Sequence, residues 1–476
     1  MTINSPLTVL FCPVHSTSLQ EMRAIALRLE TSNSGRAIFL LSSKNAAKFG
    51  AILESDNIQY IVLENADDLR QDRPTSLLHR FTVWLIIRGI QPHVLLLRWV
   101  FKEFRALEFL REKAHELISR LNPAGVAVPD DRSFSGGLIP AVLDACRVNS
   151  IASVIVPISY GGGPDNLIFQ PSRRNRKIGR DHWLCEKYPE QLYFPSQGSI
   201  GYSFYPLVET TLLAALDLLP QNPWVMGGSN SEWLMADGLE ASQRFQQQGC
   251  IEEKIILTGH CSHDELYNWY LKRNEMAVNI CQELGRKSPL ITVALPQLGE
   301  HGLLPWDEHW QEIHYLCGVL QNWSDNIVIS LHPKMDLDQY KFIETDYELQ
   351  ISPKSLRDIL PASDLFIAGF SSTVKWAVVC QVPSLVVDFN GLNYSDFDDF
   401  GGVEIFKNKR KFESRLENLI SNTGHRQKLA DDTLETARLI SPFDGQCSDR
   451  IVRFLTASPE KRREIAGRET AEQSAS

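Results

Sequence analysis

The chain has no Cys-x-x-Cys pair, no lysine-bearing phosphate loop, no intact Gly-x-Gly-x-x-Gly after its first apolar run, and no excess of basic charge. Each absence excludes something. Nine cysteines, scattered through 476 residues and often set in apolar runs, read as reduced core residues of a cytosolic protein, not as a disulfide or zinc framework. Without a phosphate-loop lysine ATP chemistry is disfavoured, and without the dinucleotide fingerprint a nicotinamide enzyme is too. A formal net charge of -10 argues against a general nucleic-acid binder, so a phosphorylated ligand would have to be recognised by local groups. Residues 1–6 carry no basic n-region, so no signal peptide is expected. The most hydrophobic stretch, 81–101, is broken by Arg88, Gly89, Pro92 and Arg98 and makes no uninterrupted membrane span. The expected location is the cytoplasm, either free or peripheral at the inner face of the membrane.

What is present is ordinary globular composition, 43% hydrophobic and 22% charged, in a chain too long for one core. Short apolar runs at 8–12, 36–42, 60–63, 94–97, 125–128 and 152–157 alternate with helical patterns at 19–29, 76–90, 101–121 and up to 147. Strands buried on both faces and separated by helices predict an open parallel sheet, a Rossmann-like half. A glycine- and proline-rich insertion follows at 159–206, with a basic run of Arg173, Arg174, Arg176, Lys177 and Arg180. That run suits either a solvated loop or contact with an anionic acceptor or membrane surface. A helix at 267–284 leads to a linker at 285–289 and a second α/β half. The predicted domains are 1–284, 285–445, a helix at 446–456 returning to the first domain, and a loose tail at 457–476.

Two features of the second half stand out. A strand at 327–331 ends in His332-Pro333. About forty residues later, the span of one or two βα units, a strand at 365–368 runs into Gly369-Phe370-Ser371-Ser372-Thr373 at the start of an apolar helix. Taken singly, the first is a common strand exit and the second a set of helix caps. Together, an imidazole, hydroxyls and free helix amides suit one or two phosphates. Asp388, ending the next strand, would either meet a ribose or cap a turn. In the first half Asp130 and Asp131 follow the 125–128 strand, beyond the carboxyl edge where ligands of such sheets bind, although Asp131 or Ser135 equally suits a helix cap. The grouping of His260, Cys261 and His263 fits no zinc spacing, and Asp396-Phe397-Asp398-Asp399 reads as a solvated loop, so neither metal nor cofactor is expected.

His332-Pro333 followed by Ser371-Ser372 resembles the paired motifs of bacterial sialyltransferases and polysialyltransferases. It also resembles those of the CDP-glycerol glycerophosphotransferases of teichoic acid synthesis. The resemblance implies the α/β GT-B fold, two Rossmann-like domains facing each other across a central cleft. It also implies an inverting, metal-independent glycosyltransferase with a CMP-activated sugar donor of the sialic acid or Kdo type and a glycan or glycolipid acceptor. In that family a carboxylate of an upstream acidic pair is the general base, which places Asp131, or Asp130, in that role. His332, Pro333, Gly369, Ser371, Ser372, Thr373 and Asp388 would then hold the nucleotide, and His15, Arg132, Arg173 and Arg174 the acceptor. Arg132 stands where the sialyltransferase pattern has glycine. Two other readings stay open. The two-domain fold and His-Pro element also resemble UDP-N-acetylglucosamine 2-epimerases, although the Ser-Gly-Gly expected there is missing. A non-catalytic GT-B-like scaffold or glycan-binding protein is the other, kept by Arg132.

Overall fold

The structure, a computed structural model, describes residues 7–63, 96–158, 176–195, 198–392 and 396–473. The helix expected at 76–90, most of the strand expected at 94–97, and Arg173 and Arg174 lie outside the described residues. The chain divides into two compact units, Met1–Thr258 with Ser448–Ser476, and Gly259–Cys447.

In the first unit the strands are β1 (Thr8–Phe11), β2 (Arg36–Leu41), β3 (Gln59–Val62), β4 (Gly125–Val128), β5 (Ala152–Ile155), β6 (Lys177–Gly179), β7 (Leu192–Tyr193), β8 (Ile200–Ser203), β9 (Trp233–Ala236) and β10 (Ile255–Leu257). Seven of them form one parallel sheet in the order β10-β9-β5-β4-β1-β2-β3. β4, β5 and β9 are buried along their whole length, which is why they read as unbroken apolar runs. The Ser16–Thr31 helix buries Leu19, Met22, Ile25, Ala26 and Leu29, one face at helical spacing. Two expectations are corrected here. Leu96 begins a helix running to Leu121, so the described part of the expected 94–97 strand, residues 96 and 97, is helical. The glycine- and proline-rich insertion, for which no strand was expected, holds a small antiparallel sheet ordered β6-β8-β7, stabilised by a cluster of Ile178, Leu184 and Leu192.

The second unit has β11 (Ile291–Ala294), β12 (Ile327–Ser330), β13 (Gln350–Ile351), β14 (Leu365–Ala368), β15 (Ser384–Val387) and β16 (Val403–Phe406). All are parallel, in the order β13-β12-β11-β14-β15-β16. Both sheets share a logic: the first strand lies inside, the next two extend to one side, and the fourth returns to the other. The order therefore reverses between β1 and β4 and between β11 and β14, and loops leaving those carboxyl ends diverge to leave a crevice. This is the doubly wound α/β fold expected from the strand pattern, present twice.

Two boundaries differ from the sequence reading. The helices Ser262–Tyr270 and Arg273–Leu284 belong to the second unit, because Leu266 packs with Phe366, Val374 and Val378, and Ile280 with Leu290, Val328 and Ile359. Apolar packing, not the glycine-bearing linker, sets the division. At the other end Pro459–Gln473 is helical, where a loose tail was expected. Buried Arg462 donates from Nε to the Phe454 carbonyl and from Nη2 to the carbonyls of Leu455 and Ala124 at 2.6–2.9 Å, tying the helix to the chain just before β4.

Candidate functional site

In the second unit the loops after β12, β11 and β14 leave neighbouring strand ends. Strands lie about 4.8 Å apart, so the β12 and β14 exits are separated by about 10 Å, with the β11 loop between them. His332 leaves β12 half-buried. Its Nδ1 lies 3.1 Å from the Lys334 amide, whose N–H it accepts, so the neutral ring carries its proton on Nε2. Partial burial, then Lys334 and His301, hold the His332 pKa below its ordinary value, and Glu300 opposes them. Pro333 is exposed and stops the strand.

After β14, Gly369 is buried against the β11 loop: a Cβ there would lie 3.0 Å from Cβ of Pro296. Glycine is what lets the two loops meet. Ser371 Oγ accepts from the Thr373 amide at 3.3 Å and from the Thr373 hydroxyl at 2.9 Å, which leaves its own O–H proton to be donated elsewhere. Ser372 is exposed and makes no capping bond. The helix that follows, Thr373–Val379, is only seven residues long, so hydroxyl donors matter more here than a helix dipole. Asp388 is buried, and its Oδ1 accepts the Leu392 amide at 2.7 Å. Of the two roles open to it, turn capping is the one seen.

The β11 loop also carries residues that the motif reading passed over. The Tyr340 hydroxyl donates to Glu300 Oε1 at 2.5 Å, and His309 Nε2 lies 2.9 Å from the same hydroxyl. His309 and Tyr340 are fully buried, with Trp306 edge-on to His309. The available signal was a glycine-flanked Gly-Glu-His-Gly turn directly after the first strand of a doubly wound sheet.

In the first unit the crevice strands are β1 and β4. His15 follows β1, exposed, and its Nδ1 caps the Ser16–Thr31 helix by accepting the Ser18 amide at 3.3 Å. After β4 the two aspartates separate in character. Asp131 is 2% exposed and accepts three hydrogen bonds: the Gly227 and Ser229 amides at 3.1 Å each, and the Ser231 hydroxyl at 3.0 Å. Lys254 holds the same loop from its carbonyls, donating to Gly227, Ser229 and Ser231 at 3.0–3.2 Å. Desolvation, with the Asp130 charge, raises the Asp131 pKa to about 6, outweighing Arg132 and the hydrogen bonds that favour the ionised form.

Asp130 is the accessible member of the pair, its side chain 27% exposed. Arg132 grips it with Nε and Nη2 at 2.9 Å and donates its backbone amide to Oδ1 at 2.7 Å. The Arg132 guanidinium is itself buried, and its carbonyl accepts the Tyr205 hydroxyl. The residue in the glycine position is therefore an internal partner of Asp130. Helix capping, the plainer account of this segment, does not apply to Asp131: the N-cap of the Leu138–Val148 helix is Gly137, at φ 96°. A base must reach an acceptor hydroxyl, so the accessible Asp130 suits that role and the buried Asp131 suits loop anchoring.

His260 and His263, grouped in sequence, pair separately: Nδ1 of His260 lies 2.6 Å from the Ser262 hydroxyl and Nδ1 of His263 2.9 Å from that of Ser441. Among the described residues no helix is long and apolar enough to cross a membrane.

No family model matches the sequence, and no curated protein matches it. Solved structures do match in fold. A putative UDP-N-acetylglucosamine 2-epimerase from Listeria monocytogenes aligns over 94% of this chain and 95% of its own, with a TM-score of 0.52 and 13% identity. The UDP-GlcNAc 2-epimerase from Neisseria meningitidis, solved with UDP-GlcNAc, aligns over 94% and 98% with a TM-score of 0.51 and 13% identity. A CDPG-soaked variant of the wall teichoic acid polymerase TagF aligns over 97% and 89%, with a TM-score of 0.50 and 12% identity. At these identities the likeness is one of fold. The chain has the GT-B architecture of two Rossmann-like domains, shared by epimerases and a polymerase.

Proposed function

We propose that this protein is a glycosyltransferase whose second unit binds the phosphate of a nucleotide-activated sugar and whose first unit supplies the base. The observation that carries the reading is the grouping of His332, Ser371 and Ser372 on loops beside the β11–β14 crossover, the ligand position of this fold. His332 Nε2–H and the two serine hydroxyls donate to the leaving phosphate. Their worth grows as charge builds on it in the transition state. An acceptor hydroxyl attacks the anomeric carbon as the bond to the phosphate oxygen breaks, and its proton passes to Asp130. Attack from the face opposite the leaving group inverts the centre. The donor is a CMP-activated sugar of the sialic acid or Kdo type, the acceptor a glycan or glycolipid, and no metal is required.

The fold likeness supports a UDP-N-acetylglucosamine 2-epimerase equally well, so the test separates the two. CMP, CDP, UDP and UDP-GlcNAc are titrated calorimetrically into wild type and into His332→Ala, and UDP-GlcNAc is incubated in deuterated water. Cytidine binding that falls at least about tenfold in His332→Ala, unaffected by EDTA, supports the transferase. Deuterium entering C2 of the sugar overturns it in favour of the epimerase. No binding by wild type leaves the scaffold.

A further inference from the structure

We propose that the outward face of the Lys409–Ser421 helix is a second anion site, separate from the nucleotide crevice, that takes a small phosphorylated molecule from solution.

The stretch leading into this helix is charged out of keeping with the chain. Four of the five residues at 407–411 are cations, all exposed, in a protein of formal net charge -10. The helix buries Phe412, Leu416 and Leu419 on one side. Its other side borders a shallow groove of about 420 Å³, lined by Arg410, Lys411, Ser414, Arg415 and Asn418, a volume suited to a small molecule.

The groups this groove leaves for a ligand are all donors. The side chains of Arg410, Lys411 and Ser414 have no partner among the described residues. Arg415 is engaged: Nε and Nη2 donate to Glu404 at 2.8 and 2.6 Å, and Nη1 donates to Asn418 Oδ1 at 3.1 Å. That last bond fixes the amide of Asn418. Its oxygen also takes His425 Nδ1 at 2.7 Å, so the NH2, with two donors, is the end left open. The carboxylates of the helix do not neutralise the groove. Glu413 accepts the Tyr315 hydroxyl at 2.6 Å, and exposed Glu417 pairs with neither Arg410 nor Lys411.

An anion rich in acceptor oxygens complements such a set, and a phosphate can accept from guanidinium, ammonium, hydroxyl and amide together. A membrane surface fits less well. None of the exposed large apolar side chains belongs to this helix or to the loop before it, and peripheral lipid binding draws on apolar burial as well as charge. Nor is this the phosphate site of the nucleotide. β16, which leads into the helix, lies two strands from β14, so its end is about 10 Å from the exit that carries Ser371.

The experiment uses the full chain and inorganic pyrophosphate as probe, at constant ionic strength so that screening does not vary. Calorimetric titrations are made on the wild-type and His332→Ala chains, each with and without Arg410→Gln/Lys411→Gln or Ser414→Ala. Lys44→Gln/Lys48→Gln, on an exposed helix face of the first unit, is the control of equal charge loss. Binding should persist in His332→Ala. In that chain it should fall at least about tenfold with Arg410→Gln/Lys411→Gln and about two- to tenfold with Ser414→Ala, which changes no charge, and should not fall in the control. All the groove positions substituted are exposed, so melting temperatures should stay at the wild-type value. An equal loss in the control means that only the overall field is felt, and overturns the proposal. So does loss of all binding in His332→Ala, which assigns pyrophosphate to the crevice, and so does absence of binding by wild type. Co-sedimentation with phosphatidylglycerol–phosphatidylcholine vesicles is the last arm. Capture that requires Arg410 and Lys411, without pyrophosphate binding, overturns the small molecule in favour of a lipid headgroup.

Discussion

Asp131 offers the sharpest test, because two opposing effects meet on one carboxylate. Burial raises its pKa from 3.8 to about 6, which corresponds to about 3 kcal/mol against the ionised form. The folded pKa lies above the unfolded one. Its stabilising contribution is therefore complete below about pH 4 and is lost as pH rises through about 6. Asp131→Asn has no such dependence. It does have one oxygen where the native residue has two, so its NH2 must face either the Gly227 amide or the Ser229–Ser231 side, a loss of about 1–3 kcal/mol at every pH. The variant should thus be less stable than wild type by that amount at pH 4, and the gap should close or reverse by pH 8. Asp131→Ala leaves three donors unpaired and should be destabilised by about 3–6 kcal/mol throughout. Urea denaturation at pH 4 and 8 measures the differences, and hydrogen exchange at the Gly227 and Ser229 amides reports whether the loop opens. A difference between Asn variant and wild type that is the same at both pH values would refute the reasoning. So would undiminished protection of those amides in the alanine variant.

Two further outcomes follow from contacts away from this loop. Gly369→Ala places a Cβ 3.0 Å from Pro296 and should push the β11 and β14 loops apart, lowering nucleotide affinity while thermal stability falls by about 1 kcal/mol or less, as checked by calorimetry and melting curves. Arg462→Ala removes the donor to three carbonyls and should cost about 2–4 kcal/mol, with early protease cleavage within 459–473 as the readout. Wild-type cleavage kinetics in that variant would mean the helix holds by apolar contact alone.

Much of the architecture was legible in the linear chain because parallel sheets buried on both faces demand continuous apolar runs. β4, β5, β12, β14 and β15 are such runs, and each was read close to its place. His332 and Ser371–Ser372 were legible for a related reason: proline stops a strand and glycine opens a tight exit, so chemistry next to them sits at a strand end. Secondary structure depends on neighbours in sequence, and those neighbours were in view.

Partner choice depends on residues far away, and there only the tertiary structure decided. Asp130 and Asp131 are adjacent and chemically identical, yet one is gripped by Arg132 at the surface. The other is buried by Gly227, Ser229 and Ser231, about a hundred positions on, and nothing local distinguishes them. The same holds for Glu300, whose orientation is set by Tyr340, and for Arg462, whose acceptors include Ala124. Composition and spacing determined which elements form and where their ends carry chemistry. Burial and hydrogen-bond geometry, which exist only once distant segments meet, decided which of those groups stay accessible to a ligand.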